Sequence, residues 1–362
     1  MFQYRFCPDL MCKLIHHKKS QASQFEIFKE IKSYGHFTWN DYSIKELDAT
    51  KVEVENLMAC VGDQSIPTID FDRASKMLEN NSSLEFLDEG RECPPWRKKS
   101  VRGVPSALVL SIAQKRAVDP EGLDFVFGGP TLSILAVRVI PSKIQLIVQR
   151  VRGLLSVRKF ANYTWRENEI GTQFETLMTD GKLDYKDDSL RHENLTLLQV
   201  SDKDCNDKYS ILCFAEIDGE ILSSSENNKV TTKSFNSSIT CEIKTSKPVY
   251  WNCKLPLQMI SNNSQKLIYG DKEKNEKDKY VLKNIIELDR DDVIGRNHIT
   301  KIRRKERNIL LSLKELKEKS KSLEENKVYL LKFDNKKLIL EAAGPEHDDC
   351  QIRPDIINAL LS

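Results

Sequence analysis

Residues 209–221, with the sequence YSILCFAEIDGEI, give the strongest strand signal in the chain and carry two acidic side chains. Glu216 and Asp218 are separated by one residue, Ile217, and side chains at positions i and i+2 of a strand lie on the same face. The residues before them are apolar, so both carboxylates are expected to emerge from a buried environment. Because an uncompensated buried charge is costly, a bound divalent cation is one means of stabilising such a pair.

Two further segments extend this acidic pattern. Residues 238–245 (SITCEIKT) predict a second strand, in which Glu242 and Lys244 share a face. Upstream, an apolar row with helical spacing across residues 167–179 predicts an amphipathic helix with Glu175 beside the row. Three or four carboxylates meet the preference of Mg²⁺ or Mn²⁺ for oxygen ligands. Two such ions can support hydrolysis of a phosphodiester, with the lysine neutralising the charge that develops.

Composition excludes several classes of protein. The chain has 362 residues, 40% of them hydrophobic, and 56 Lys and Arg against 54 Asp and Glu give a formal charge of +2. The hydrophobic fraction excludes a wholly disordered chain. The net charge is too small to attract nucleic acid by itself. There is no apolar run long enough to predict a membrane span, and charged residues interrupt the N-terminal stretch, so secretion is not expected. Nine scattered cysteines without a CxxC pair predict reduced thiols and an intracellular location, in the nucleus, the cytoplasm or both.

The order of predicted elements favours one α+β domain over residues 1–362, with mixed or antiparallel central sheets flanked by helices. Neither an internal repeat nor a sharp change of composition divides the chain, and residues 1–20 are expected to form a flexible arm. Besides the segments above, the predicted elements are helices at 108–117, 302–323 and 353–361, β-rich stretches at 125–139 and 142–151, strands at 154–160 and 279–288, and a hairpin at 328–341.

Four short motifs occur in a characteristic order: GTQFE (171–175), EID (216–218), EIK (242–244) and then Gln258. Together they resemble the decapping exoribonuclease family, whose fold is related to that of PD-(D/E)XK nucleases. The resemblance covers most of the chain. One position departs from it, because FVFGGPTLSIL places Gly128 where the first motif of the family has an arginine. Arg102 and Arg138 are possible substitutes, but neither is in register.

The resemblance implies a metal-dependent hydrolase that removes incomplete or non-standard 5′ caps from RNA, including NAD-type caps, in some members with 5′→3′ digestion of the RNA. It implies that one metal ion is bound by Glu175, Asp218, Glu242 and the main-chain carbonyl of Ile243, and a second by Glu216 and Asp218. Lys244 and Gln258 would then face the scissile phosphate and the water. Since metal-bound carboxylates have depressed pKa values, metal affinity is expected to fall as pH drops toward about 4–5.

Two other functions remain open. An RNA 5′-end-binding or partner-regulating protein with weak or no catalysis is consistent with Gly128, and a deoxyribonuclease could use the same core. Basic clusters at 96–99 and 301–307 are expected to be solvated surface, with RNA contact as the alternative. Cys7, Cys12, His16 and His17 lack a second paired half, so a disordered arm is favoured there over a zinc site.

Overall fold

The structure is a computed structural model. It describes residues 24–40, 61–62, 65–80, 84–86, 118–119, 121–141, 144–160, 169–180, 190–202, 207–222, 238–246, 254–345, 347 and 351–352. In chain order, the elements within these ranges are β1 (Phe28–Asn40), β2 (Val61–Gly62), α1 (Phe71–Asn80), β3 (Leu84–Glu85), β4 (Phe125–Gly128), α2 (Thr131–Val137), β5 (Gln145–Val151), β6 (Leu154–Phe160), α3 (Glu169–Asp180), β7 (Leu190–Ser201), β8 (Lys208–Glu216), β9 (Gly219–Leu222), β10 (Ser238–Ser246), α4 (Lys254–Ser261), β11 (Lys266–Lys274), β12 (Tyr280–Asp289), α5 (Arg290–Gly295), α6 (Ile299–Ser320), β13 (Val328–Asp334) and β14 (Lys337–Ala342).

The larger of two sheets has the strand order β14-β13-β5-β6-β4-β8-β7-β1-β2. Its neighbours run antiparallel except at β4, which lies parallel to both β6 and β8. All four residues of β4 are buried, as expected of a central strand covered on both faces. The buried face of α6, which includes Ile302, Ile309 and Leu313, belongs to the same apolar core as β4 and α2.

The smaller sheet has the order β3-β12-β11-β10-β9, in which only β10 and β11 are parallel to each other. Helix α3 covers it with three fully buried side chains, those of Phe174, Leu177 and Met178. These side chains belong to the apolar row that predicted the helix. The prediction of an amphipathic helix at residues 167–179 is therefore confirmed from Glu169 onward.

The predicted α+β class with mixed sheets is therefore confirmed. The strands expected at 154–160, 238–245 and 279–288 are β6, β10 and β12, and the helix expected at 302–323 is α6. The expected hairpin is formed by β13 and β14, and its turn residues Asn335 and Lys336 both have positive φ, which suits the twist of a two-residue hairpin turn.

The β-rich prediction for residues 125–139 is wrong after Gly128. The chain turns at Gly129, whose φ is +42°, and Pro130 then precedes helix α2. Residues Thr131–Ala136 of this helix are all buried, so the segment has no polar face from which a helical period could be recognised. An apolar run of this kind does not distinguish a buried helix from a buried strand.

The prediction of a single strand at 209–221 is also wrong, because this segment forms two strands. β8 ends at Glu216 in the larger sheet, and β9 begins at Gly219 in the smaller one. Ile217 and Asp218 therefore form the joint between the two sheets, and the EID motif lies at this joint rather than on one strand face.

Several predictions concern residues outside the described ranges: the arm 1–20 with its cysteines and histidines, the basic cluster 96–99, Arg102, and the helices at 108–117 and 353–361. The extent of the domain over 1–362 likewise stays a prediction. In the part of the chain that is described, none of the helices combines the length and apolar character that a bilayer crossing requires.

Candidate metal centre

The joint between the sheets brings two of the acidic motifs together. β9 pairs with β10 only as far as Cys241, so the edge of β10 is open from Glu242 onward. The Asp218 side chain takes the place of a pairing strand at this edge, because its Oδ2 accepts a hydrogen bond of 2.8 Å from the main-chain N–H of Ile243. A main-chain hydrogen bond from Ile217 to the carbonyl of His192 on β7 fixes the other side of the joint.

The ammonium group of Lys244 lies among three carboxylates. Its Nζ is 2.6 Å from Glu242 Oε1, 2.9 Å from Asp218 Oδ2 and 4.0 Å from Glu175 Oε1. It also donates a hydrogen bond of 2.9 Å to the carbonyl oxygen of Ile243. The motifs that are far apart along the chain therefore converge on one point.

Close packing of α3 on the smaller sheet explains the position of Glu175. Phe174, its neighbour, is fully buried against Gly270 of β11, where an added Cβ would lie only 2.7 Å from the Phe174 ring. Glycine at this position lets the helix approach the sheet. Glu175 consequently lies over β10 with its side chain 38% exposed, at the open side of the cluster.

Helix α4 and the residue that follows it contribute two amide side chains. Gln258 Nε2 donates to Glu242 Oε1 at 2.5 Å, which brings this predicted residue to the cluster. One helical turn later, Asn262 Nδ2 donates to Glu242 Oε2 at 2.7 Å. Asn262 was not among the residues predicted from the sequence, although its i+4 spacing from Gln258 would place both side chains on the same side of a continued helix.

Burial and crowding of negative charge shift the titration of the centre. Glu242 is fully buried, and burial together with the nearby charge of Asp218 raises its pKa to about 7 against the opposing effects of Lys244 and Asn262. Burial, then Asp218, also raises the pKa of Glu175 well above its ordinary value, with a smaller contribution from Glu216. Burial alone would lower the pKa of Lys244, but Asp218, Glu242 and Glu175 together raise it well above its ordinary value. The raised pKa values of Glu175 and Glu242 show that one ammonium does not offset the crowding of carboxylates, and a further cation would favour their ionised forms.

The donor set fits a hard divalent cation. Lys244 contacts the oxygens of Asp218, Glu242 and Ile243, the groups expected to bind metal, so the ammonium shows that a cation is favoured here. Over the described ranges, however, no three His, Cys, Asp or Glu side chains are already arranged as a metal site. Glu216 is the last residue of β8, and its side chain is exposed. Its charge contributes to the raised pKa of Glu175.

Comparison with protein-family models gives no match, and no curated protein matches the sequence. Solved structures do match. The crystal structure of S. pombe Rai1 is 12% identical with a TM-score of 0.52, over 89% of this chain and 97% of its own. K. lactis Dxo1 in complex with manganese is 10% identical with a TM-score of 0.53, over 89% and 92%. Scheffersomyces stipitis Rai1 in complex with (3′-NADP)+ and calcium ion is 10% identical with a TM-score of 0.52, over 94% and 97%. The chain has the Rai1/Dxo1 fold.

This likeness confirms, for the fold alone, the resemblance that the sequence motifs indicated. The coverage spans nearly the whole length of each Rai1 or Dxo1 chain. At identities of 10–12%, the likeness concerns the fold, and the roles of individual residues depend on the geometry described above.

Within this Rai1/Dxo1 fold, the space at Gly128 explains why no side chain is present there. A Cβ added to Gly128 would lie 2.7 Å from Cζ of Phe214, whose ring fills the position where an arginine side chain would begin. Arg138 cannot replace it, because its buried guanidinium pairs with Glu315 at 2.8 Å and donates to Ser312. Arg138 therefore joins α2 to α6 instead of facing the centre.

Gly128→Ala is expected to lower the free energy of unfolding by about 1–3 kcal/mol, the usual cost of adding a methyl group to a well-packed interior. The added methyl must displace the Phe214 ring, which lies two residues before Glu216 on β8. Chemical denaturation monitored by circular dichroism measures the change. Gly295→Ala, at a site with no neighbouring atom near the added Cβ, is the control and should be nearly neutral. Equal stability of the two variants would contradict the packing argument.

Proposed function

We propose that this protein is a metal-dependent phosphodiesterase of the decapping exoribonuclease family, acting on the 5′ ends of RNA with incomplete or non-standard caps, including NAD-type caps. The observation that carries the proposal is the convergence of Glu175, Asp218 and Glu242 around a single cationic position. The Rai1/Dxo1 fold supports it, because solved structures with that fold include a manganese complex and a complex with (3′-NADP)+ and calcium ion.

In this function, Glu175, Asp218, Glu242 and the carbonyl oxygen of Ile243 would hold one Mg²⁺ or Mn²⁺ ion, and Glu216 with Asp218 a second. Bound divalent ions supply an activated water and stabilise charge on the phosphodiester oxygens. The residues of the chain position the reactants: Lys244, already in contact with Asp218 and Glu242, can neutralise charge on the phosphate, and Gln258 can orient the water from its place beside Glu242 Oε1.

We also propose an intracellular location, in the nucleus, the cytoplasm or both. The two cysteines within the described ranges, Cys213 and Cys241, carry free thiols. Burial raises the pKa of each to about 12, so these thiols are protonated and chemically inert. Reduced, buried cysteines of this kind are usual in a reducing compartment.

Purified protein is expected to release 5′-end products from NAD-capped and triphosphate-ended RNA in the presence of Mn²⁺ or Mg²⁺, and this release should stop when EDTA removes the metal. The reason is that the carboxylate cluster offers oxygen ligands to a divalent ion, which would supply the activated water. Separation of the released nucleotides by liquid chromatography measures the reaction, and restored turnover after Mn²⁺ is added back to the EDTA-treated sample is the control.

Gly128 favours the second candidate, an RNA 5′-end-binding protein with weak or no catalysis, because the first-motif arginine is absent. Tight binding of capped RNA without metal-dependent release would support this candidate and contradict the proposed hydrolase. Parallel reactions with matched single-stranded DNA distinguish the third, a deoxyribonuclease, which would cleave DNA at least as fast as RNA.

A further inference from the structure

Asn262 is fully buried immediately after α4 and has an environment unlike that of an ordinary helix-terminal residue. Its main-chain N–H still bonds to the carbonyl of Gln258, so it completes the last helical turn, and Asn263 then leaves the helix with a left-handed φ of +54°. The side chain consequently points inward with a fixed backbone behind it.

The amide of Asn262 uses all of its principal hydrogen-bonding groups. Nδ2 donates to Glu242 Oε2 at 2.7 Å and to the main-chain oxygen of Glu216 at 2.8 Å, while Oδ1 accepts from the N–H of Ser264 at 3.0 Å. Rotating the amide by half a turn would set its oxygen against two acceptors and its NH₂ against a donor. The hydrogen-bond pattern therefore determines the orientation.

The two acceptors of Nδ2 belong to different sheets. Glu216 ends β8 in the larger sheet, and Glu242 lies on β10 in the smaller one. The main-chain oxygen of Asn262 also accepts a hydrogen bond of 2.9 Å from Asn194, a buried residue of β7 that accepts in turn from Ser33 of β1. Asn262 is thus fixed by hydrogen bonds to the larger sheet, and it also donates a hydrogen bond to the Glu242 carboxylate of the smaller sheet.

We propose that Asn262 is a positioning residue of the metal centre: it fixes the distance between the EID and EIK motifs and holds Glu242 so that only Oε1 faces the cluster. This inference rests on the proposed function, because it assigns Asn262 a task in that same site. The inference rests on the different contacts of the two Glu242 oxygens. Oε1 contacts Lys244 and Gln258, whereas Oε2 contacts Asn262.

The different contacts of the two Glu242 oxygens also predict which metal ion the centre prefers. With Oε2 held by Asn262, Glu242 offers a single oxygen, which suits Mg²⁺ and Mn²⁺, ions that are smaller than Ca²⁺ and take octahedral oxygen ligands. Ca²⁺ is larger, accepts two oxygens of one carboxylate and tolerates irregular geometry. Freeing Oε2 should therefore impair binding of Mn²⁺ more than binding of Ca²⁺.

The test is the affinity of the full-length protein for Mn²⁺, measured by electron paramagnetic resonance without RNA, and for Ca²⁺, measured by competition. Asn262→Leu, similar in size but without the two donors, is expected to weaken Mn²⁺ binding by about 10–100-fold, the usual effect of losing an outer-sphere partner of a metal ligand. Ca²⁺ binding should weaken less. Asn262→Ala serves as a second variant should leucine prevent folding.

The matched control is Asn297→Leu. Asn297 is also buried and donates through Nδ2 to a main-chain carbonyl, that of Val293, but it lies after α5, outside the cluster. It should lose comparable thermal stability while both metal affinities stay unchanged. Unchanged Mn²⁺ affinity in both Asn262 variants, or equal losses for Mn²⁺ and Ca²⁺, would overturn the inference.

The same titrations separate this inference from the proposed function. If wild-type protein binds Mn²⁺ and Glu242→Gln weakens binding while the Asn262 variants do not, only the role of Asn262 is wrong. If wild-type protein binds no Mn²⁺, the proposed metal-dependent hydrolase is wrong, and the positioning role is overturned with it.

Discussion

Glu242→Ala is expected to slow release of cap products from NAD-capped RNA by more than the roughly 10–100-fold that loss of an outer-sphere partner costs. Glu242 is fully buried, and its carboxylate contacts Lys244, Gln258 and Asn262 at once. Removing it deletes a predicted metal ligand and also removes one acceptor each from Lys244, Gln258 and Asn262. The rate of a single turnover, measured at saturating Mn²⁺, is the appropriate quantity because it excludes product release.

Two further variants control this experiment. Glu242→Gln keeps the length of the side chain and removes the charge, so it tests whether charge, rather than packing, carries the effect. Glu287→Gln removes a carboxylate of the same sheet that pairs with Lys266 at 2.5 Å, away from the Lys244 cluster, and it should turn over like wild type. Equal release by wild type and Glu242→Ala in folded protein would be incompatible with the proposed site.

Local patterns predicted the parts of the site that lie within single elements. The apolar row around Phe174 placed Glu175 at the edge of a helix, and the alternation of Glu242 and Lys244 placed both on one strand face. The structure brings these residues together as expected, with Lys244 bonded to the carbonyl of Ile243 as well. Short-range periodicity suffices for such features because each depends on a few neighbouring residues.

Features that depend on long-range contacts were not available from the sequence. The break of the 209–221 strand arises because Ile217 and Asp218 cross from one sheet to the other. The dipeptide Asp218-Gly219 is a local turn signal at this point, but it does not indicate that the chain changes sheets. The burial of α2 on all sides concealed its helical period. Asn262 matters through hydrogen bonds to residues that are 20 and 46 positions away, and only the assembled fold shows them.

Apparent affinity for Mn²⁺ is expected to fall at least about tenfold for each pH unit below 7, giving at least roughly a hundredfold loss by pH 5, since the metal must displace the proton of Glu242, and the raised pKa of Glu175 adds to the slope. The pKa of Glu242 is raised to about 7 in the metal-free protein, so its carboxyl is increasingly protonated below that pH. This window lies above the pH of about 4–5 expected from the sequence, because burial of Glu242 and its proximity to Asp218 oppose ionisation. Calorimetric titration at constant ionic strength between pH 5 and pH 8 measures the slope.

The sign of the linked stability change provides an independent check. A carboxyl group with a raised pKa binds its proton more tightly in the folded than in the unfolded chain, so its contribution to stability is present at low pH and is lost as pH rises through about 7. Mn²⁺ binds the ionised form, and the increase in unfolding temperature that it produces should therefore grow over the same interval. Glu242→Gln lacks this titration and should show a shallower dependence. A Mn²⁺ affinity that stays flat between pH 5 and pH 7 would mean that the buried carboxylate of Glu242 is not a ligand.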